Sequence, residues 1–445
     1  MKKHHLTSIA LLTFLCYSLT VHSQETDFQE AEIHELGIPD KASQAGLSLL
    51  KGTPATKALE IEEDKESTKK ESRIPYQVGA IIHMFGAYSQ GEITAQQAAD
   101  PNFRNSYDRS FNVYRARLMF GAQLSKKGNV FIETEIPRII GSGTGENKNM
   151  EVPLMVLDAQ YEHVFSNYFS VIAGQMLVSH NRNGLQGAAT LMANDFTHYQ
   201  YPYNMWEDSP LQGYFGRDVG INTRGFLAQD RLEYRLGVFT GRRFDGGAPA
   251  RYVGRLVYNF LDPEKDFYYN GTGLGTRNTF ALAGGFDVQG TYRNVGLDAY
   301  LDIPIGDKGA LTVNAAHTNM TGGISTSKYN FTELIPRQNI QFLEMGYYFK
   351  RSQFQPWIKY ENQSINGHPS QLGLPQNASE QQLSDANLIG SNQRAGFGLN
   401  YFFNAYTTNL RLSYTQVTYG REAFNGGAEK DSYSQLWLQL QLFVF

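Results

Sequence analysis

From Ile74 to Phe445 the chain alternates apolar and polar residues in short runs bounded by Gly, Asn, Asp and Ser. The run Tyr433 to Phe445 shows it most plainly, with Leu436, Leu438, Leu440, Leu442 and Val444 on one parity. A period of two sends successive side chains to opposite faces of a strand, so each run predicts a strand with one apolar face. Such runs lie near 76–89, 110–124, 129–137, 154–164, 168–178, 218–227, 231–240 and 251–260. A second set lies near 279–288, 293–304, 310–317, 339–350, 353–361, 393–403, 406–418 and 433–445. No stretch of the same region has helical periodicity. The pattern predicts an all-β fold, a transmembrane antiparallel β-barrel of about sixteen strands, an even number as single-chain bacterial barrels require.

The connections sharpen that expectation. Short ones at 125–129, 165–167, 228–230, 305–309, 351–352 and 404–405 alternate with long ones near 90–109, 138–153, 179–217, 318–338, 362–392 and 419–432. Long external loops and short periplasmic turns are what a barrel with its N-terminus in the periplasm needs. One pair breaks the rule: 261–278 is long where a turn is expected, and 289–292 is short where a loop is expected. Either that region is an exception or a strand is misplaced there. A secreted β-sandwich would not need such alternation.

The N-terminal region divides differently. Residues 1–23 carry a basic start, Met1-Lys2-Lys3, an apolar stretch from Leu6 to Thr20 and the small-residue site Val21-His22-Ser23, the pattern of a cleavable signal peptide. The only cysteine, Cys16, lies within it, so no disulfide framework is expected. Residues 24–73 are polar and charge-dense and read as a flexible periplasmic leader, leaving 74–445 for the barrel. The mean hydropathy of −0.41 and the lack of a second long apolar run exclude a helical membrane protein. Barrels remain, because every second strand residue faces the lumen. A net charge of −4 with scattered basic residues gives no support to nucleic-acid binding.

Strand parity assigns candidate channel-lining groups. Apolar Tyr114, Ala116, Leu118 and Phe120 are expected toward lipid, which turns Arg115 and Arg117 inward. The same logic turns Arg231, Arg235, Arg251, Arg255, Arg394 and Arg411 inward, together with Glu133, Glu135, Asp158, Glu162, Glu233, Asp287, Asp298 and Asp302. Two readings stand side by side: cross-strand ion pairs that stiffen the wall, and a transverse field across a constriction. The connection 179–217 supplies candidate constriction residues Arg182, Asp195, His198, Tyr201, Tyr203 and Trp206. Its length and aromatic content predict that it folds into the barrel, with an external lid as the alternative. At the C-terminus Phe443 and Phe445 take the parity opposite to the leucines, so either the last residues twist out of register or these aromatics face inward.

Motifs for chemistry are sparse. Gly271-Thr-Gly-Leu-Gly275 lacks the surrounding βαβ unit and the lysine of a phosphate loop and reads as a flexible turn. Histidines lack paired metal-ligand spacing and no Gly-x-Ser-x-Gly elbow occurs. No catalytic residue, cofactor or metal is expected.

Three stretches resemble the phosphate-selective porin O and P family. Asn112-Val-Tyr-Arg-Ala-Arg-Leu-Met-Phe-Gly-Ala-Gln-Leu124 with Asn129-Val-Phe-Ile-Glu-Thr-Glu135 is similar to its paired-arginine strand and acidic partner. Val171-Ile-Ala-Gly-Gln-Met-Leu-Val-Ser179 is similar to the strand entering its third loop, with Gln175 where many relatives are basic. Arg217-Asp-Val-Gly-Ile-Asn-Thr-Arg-Gly-Phe-Leu227 with Leu232-Glu-Tyr-Arg-Leu-Gly-Val-Phe-Thr-Gly241 is the most specific of the three. The resemblance implies a trimeric, sixteen-stranded porin of a Gram-negative outer membrane, partnered by lipid and by small hydrophilic solutes or anions that diffuse passively. A ladder of closely spaced basic residues is not evident, so phosphate selectivity is not inferred. Alternatives from other classes are an outer-membrane hydrolase and a structural or adhesive barrel.

Overall fold

A computed structural model describes residues 74–90, 102–140, 154–197, 216–241, 249–290, 292–321, 337–366, 391–421 and 429–445. The signal-peptide and leader expectations therefore lie outside the described residues. Sixteen strands form: β1 Tyr76–Ser89, β2 Asp108–Ser125, β3 Gly128–Ile140, β4 Met155–Ser166, β5 Phe169–Leu177, β6 Arg217–Leu227, β7 Leu232–Phe239 and β8 Arg251–Asn259. They continue as β9 Thr279–Gln289, β10 Tyr292–Ile305, β11 Gly309–Thr321, β12 Arg337–Phe349, β13 Phe354–Asn366, β14 Asn392–Asn404, β15 Thr408–Arg421 and β16 Glu429–Val444. Each pairs antiparallel with its neighbours in sequence. The ring closes where β1 meets β16, in a register running from Ala80 opposite Val444 to Ser89 opposite Gln435. Closure leaves no free edge, the condition for a sheet to stand in hydrocarbon.

The alternation read from the sequence becomes two faces. Leu118, Ile132, Ile221, Leu236, Leu256, Leu297, Phe397 and Val444 are exposed on the outer wall, while their sequence neighbours Arg117, Glu133, Asn222, Arg235, Arg255 and Asp298 are buried inside. Such a barrel is inside-out relative to a water-soluble core, because lipid takes the place of the apolar interior. Ring pairs such as Phe165 with Phe169, Phe260 with Phe280, Tyr347 with Phe349 and Phe354 with Tyr401 gather beside the short turns. That is the position of an interfacial aromatic girdle.

Phe443 and Phe445 turn inward, joining Ile81, Met119, Phe402 and Tyr406 in one buried cluster. Gly79 makes room for them, since a Cβ there would collide with the Phe445 ring. No twist out of register is needed. Two parity expectations are corrected. The β1–β2 ladder shifts between His83 and Met84, leaving Tyr114 as an extra residue on β2. This bulge swings Tyr114 off the lipid face, and its hydroxyl donates to Asp195 inside the barrel at 2.5 Å. Arg231, expected to line the channel, is exposed in a turn, where it donates to the Phe260 carbonyl at 2.9 Å. Three successive residues with positive φ, Ala228, Gln229 and Asp230, hold that turn, so β7 begins one residue beyond Arg231.

Candidate functional site

Among the described residues two connections occupy the lumen, one from each end. The first leaves β5 at the end that carries the long connections. After Leu177 it turns in through two short 3-10 turns, Asn183–Leu185 and Ala188–Thr190. It passes close over β9, where a Cβ on Gly285 would collide with the His180 carbonyl. It then crosses the barrel. Asn183 accepts from Asn314 of β11 at 2.7 Å, the Met192 carbonyl accepts from Asn400 of β14 at 2.7 Å, and the Ala193 N–H donates to Glu344 of β12 at 3.2 Å. On β15 the Arg411 guanidinium donates to Ala193 O at 3.0 Å and Ala189 O at 3.3 Å, and Gln441 of β16 donates to Ala189 O at 2.9 Å. The segment reaches β2 at Asp195, which accepts from Arg115 at 3.1 Å as well as from Tyr114. Wall donors thus satisfy carbonyls that an irregular backbone cannot pair with itself.

The second connection is the one that broke the loop alternation. Residues 260–278 rise from the short-turn end and bury Glu264, Asp266, Phe267, Tyr269, Asn270 and Thr272. Arg224 and Arg235 donate to the Asp266 carbonyl at 2.7 and 3.2 Å, and Arg235 also donates to Phe267 O at 2.9 Å. The Tyr269 hydroxyl donates to Glu233 at 2.9 Å. Across the lumen Gln355 of β13 donates to Thr272 at 2.9 Å, and Asp302 of β10 accepts from the Gly273 N–H. Gly271 to Leu274 is therefore a buried part of this insert, and the turn expected from the glycines is confined to Leu274-Gly275, where both residues have positive φ.

The two segments hydrogen-bond to each other as a short parallel crosspiece. Tyr269 N–H donates to Leu185 O at 2.9 Å, Gly187 N–H to Tyr269 O at 2.9 Å and Thr272 N–H to Thr190 O at 3.0 Å. Arg182 rivets them together: it donates to Glu264 at 2.5 Å and to the Asn270 carbonyl at 2.7 Å, with its guanidinium stacked 3.2 Å from the Tyr300 ring centre.

Most of the expected lumen arginines end in ion pairs. Arg117 bridges Glu133 and Glu135 at 3.1 and 3.0 Å; Arg251 grips Asp287 with two bonds of 2.7 and 2.5 Å; Arg255 grips Asp298 the same way. Arg235 pairs with Glu233 at 2.6 Å. Forked guanidinium-to-carboxylate bonds are the strong kind; here Arg117 joins β2 to β3 and Arg251 joins β8 to β9, while Arg255 reaches past β9 to β10 and the Arg235 pair lies within β7. Arg411 differs, because it donates to neutral oxygens on Asn409, Gln441, Ala189 and Ala193. It acts as a clamp on the crossing segment. Arg394 is half-buried and faces an open cavity. Of the constriction candidates, Arg182 holds the crosspiece together and Asp195 sits at the far tip of the same segment against β2, while His198, Tyr201, Tyr203 and Trp206 lie outside the described residues.

Beside the tip Asn194–Phe196 a cavity of about 320 Å³ opens between that tip and the wall of β13 to β16, β1 and β2. Tyr114, Trp357, Lys359, Glu361, Arg394 and Trp437 line it. Among the described residues no group of three or more His, Cys, Asp or Glu side chains is placed to hold a metal ion.

Burial tunes two groups in the crossing segments in opposite directions. His180 is pushed down to about 4 by loss of water, with Asp287 opposing. Asp266 is pushed up to about 7 by burial, although Arg277 at 3.1 Å favours its charged form. At neutral pH His180 is therefore uncharged and Asp266 stands near its midpoint.

Sequence reasoning missed Glu264, Asp266 and Arg277 on the insert, and Lys359 and Glu361 on β13. Arg224 was readable, since Val219 and Ile221 of the same strand face out. For the insert, the available signal was length: nineteen consecutive residues, 260–278, between two good strands.

No protein-family model matches this chain, and no curated protein sequence matches it. Solved structures do. Salmonella typhi OmpF, in complex with daunomycin, is similar with a TM-score of 0.50 and 12% identity, over 82% of this chain and 97% of that one. The outer membrane channel DcaP of Acinetobacter baumannii matches at a TM-score of 0.48 and 10% identity, covering 84% of this chain and 99% of its own. An anion-selective porin from Comamonas acidovorans has a TM-score of 0.48 and 10% identity, covering 83% and 100%. The likeness to OmpF is one of fold, a closed outer-membrane-type barrel of sixteen antiparallel strands.

Proposed function

We propose that this protein is an outer-membrane porin through which small hydrophilic solutes, anions among them, diffuse passively. The observation that carries the reading is the closed sixteen-strand ring with apolar residues outside and polar, charged residues inside. A wall of that kind is stable only with lipid around it, and its interior is a polar path. On this reading the solute path runs past Tyr114, Lys359, Glu361 and Arg394, beside the crosspiece and not through it. Passage needs no cofactor and no catalytic step. The protein sits in the outer membrane of a Gram-negative bacterium, with 1–23 as its export signal, and assembles as a homotrimer.

The finer assignment, to the phosphate-selective porin O and P family, rests on the three stretches quoted above. The ion-paired lumen argues against strong phosphate selectivity, because Arg117, Arg251 and Arg255 already hold carboxylates. Purified protein in planar bilayers should give ohmic steps in salt. A barrel that inserts without conducting would refute the reading.

A further inference from the structure

We infer that the cavity above the crosspiece is a binding subsite for uncharged sugars, short oligosaccharides in particular. The inference rests on the channel reading and names a solute class for it. Three half-buried rings form one wall: Phe85 stacks on Trp437 with centres 5.3 Å apart, and Tyr114 meets Phe85 edge-on at 5.2 Å and Trp437 at 6.5 Å. Phe196, also half-buried, projects from the crossing segment on another side of the same space. A pyranose ring offers weakly positive C–H groups on its faces and hydroxyls around its edge. The C–H groups suit the negative face of an aromatic ring.

The hydroxyl edge needs donors and acceptors together. Asn112, Ser413, Thr415 and Gln435 surround the rings and supply both kinds.

Charge argues for a neutral ligand. The lining holds two cations, Lys359 and Arg394, and two carboxylates, Asp195 and Glu361. Lys359 already pairs with Glu361 at 3.1 Å and donates to the carbonyls of Asp195 and Phe196. Asp195 is already taken by Arg115 and Tyr114. Lys359, Glu361 and Asp195, their charges already matched, offer hydrogen-bonding edges more than a pull on an ion. The space, about 320 Å³, is at the small end of ligand-sized sites.

The test uses maltotriose as probe on the purified full-length protein. Its binding is read in two ways: by tryptophan fluorescence in detergent, and by block of the salt current in bilayers. Saturable binding is expected in both, weakened on the order of ten-fold by Trp437→Ala and restored in large part by Trp437→Phe, since one stacked ring is at stake. Phe85→Ala should weaken it as well. No saturable fluorescence change would overturn the subsite, as would equal block by a polyethylene glycol of matching size. Potassium phosphate or benzoate competing more strongly than sugars would also overturn it. Fluorescence binding without any salt conductance would sustain the subsite and remove the channel reading, so the two fail separately.

Discussion

The segments that meet in the lumen differ in how they are held and in how they announce themselves. The segment 178–197 is held chiefly by wall side chains that capture its carbonyls, neutral Asn400 and Gln441 beside cationic Arg411 and Lys359, and by one ion pair to the wall, Asp195 with Arg115. The insert 260–278 carries its own charges: Glu264 faces Arg182, Asp266 faces Arg277, and Lys265 pairs with Asp230 in the adjacent turn. The first behaves as a strap laid against a polar wall, the second as a charged plug. An intruding backbone is stable in a lumen wherever side chains can replace the water that its carbonyls lose. Ion pairs are an additional device: the strap enters two, through Arg182 and Asp195, and the insert adds Lys265 with Asp230 and Asp266 with Arg277.

Replacing 261–278 by a short turn removes half of the crosspiece, and should roughly double single-channel conductance because pore width limits flow. Trimming 183–195 should do the same. Unchanged conductance in either case would show that the trimmed segment does not limit the path. Next in size is Glu264→Ala, which strands the buried Arg182 guanidinium and should cost about 3–5 kcal/mol, the usual toll for half of a buried pair. Arg411→Ala leaves the Ala193 carbonyl of the strap without its donor, while Ala189 O keeps Gln441, and should cost about 2 kcal/mol, less than Glu264→Ala because no charge is stranded. Thermal unfolding of the folded band in gels ranks the two; the reverse order would undo the contrast between plug and strap.

A smaller change is expected from Arg394→Ala. Half-buried beside the solute path, Arg394 should shift the reversal potential in asymmetric salt a few millivolts toward cations, since a single lumen charge is partly screened. Arg117, between two carboxylates, should show its loss mainly as instability.

The smallest effect is in pH, where the segments respond with opposite signs. His180 in the folded protein titrates at about 4, below its ordinary 6.5. Between those values the unfolded chain binds a proton that the folded chain refuses, so acidification from 6.5 toward 4 loosens the strap. Asp266 titrates at about 7, above its ordinary 3.8. Between those values the folded chain keeps a proton that the unfolded chain has lost, so the plug weakens as pH rises toward 7 and firms on acidification. Hydrogen exchange at pH 5 and 7.5, corrected for intrinsic rates, should show protection moving in opposite directions in the two segments. Asp266→Asn should flatten the response of the plug alone.

How much of this was legible varies by region. The sixteen strands were, including the inward Arg115, Arg117, Arg235, Arg251 and Arg255, because outward Leu118, Leu236 and Leu256 fix the parity of their neighbours. Parity failed where the count itself changes: at the bulge that turns Tyr114 inward, and at the left-handed turn that strands Arg231 outside. For the strap, length and chemistry pointed into the lumen. For the insert, its glycines suggested a flexible turn and its length stood only as a break in the alternation, an exception or a misplaced strand; its place in the lumen was not legible because its contacts, such as Glu264 with Arg182 and Thr272 with Gln355, join residues far apart in the chain.

The barrel, its strand number and its two faces are written in the alternation, because a period of two is a local property that each strand carries alone. Which arginine meets which carboxylate, the inward packing of Phe443 and Phe445, and the joining of two connections from opposite ends at Gln186 and Tyr269 emerge only in three dimensions. Those outcomes depend on register and on the closure of the ring. They bring together residues far apart in the chain, such as Arg182 and Glu264, or Arg411 and Ala189, whose meeting no local pattern encodes.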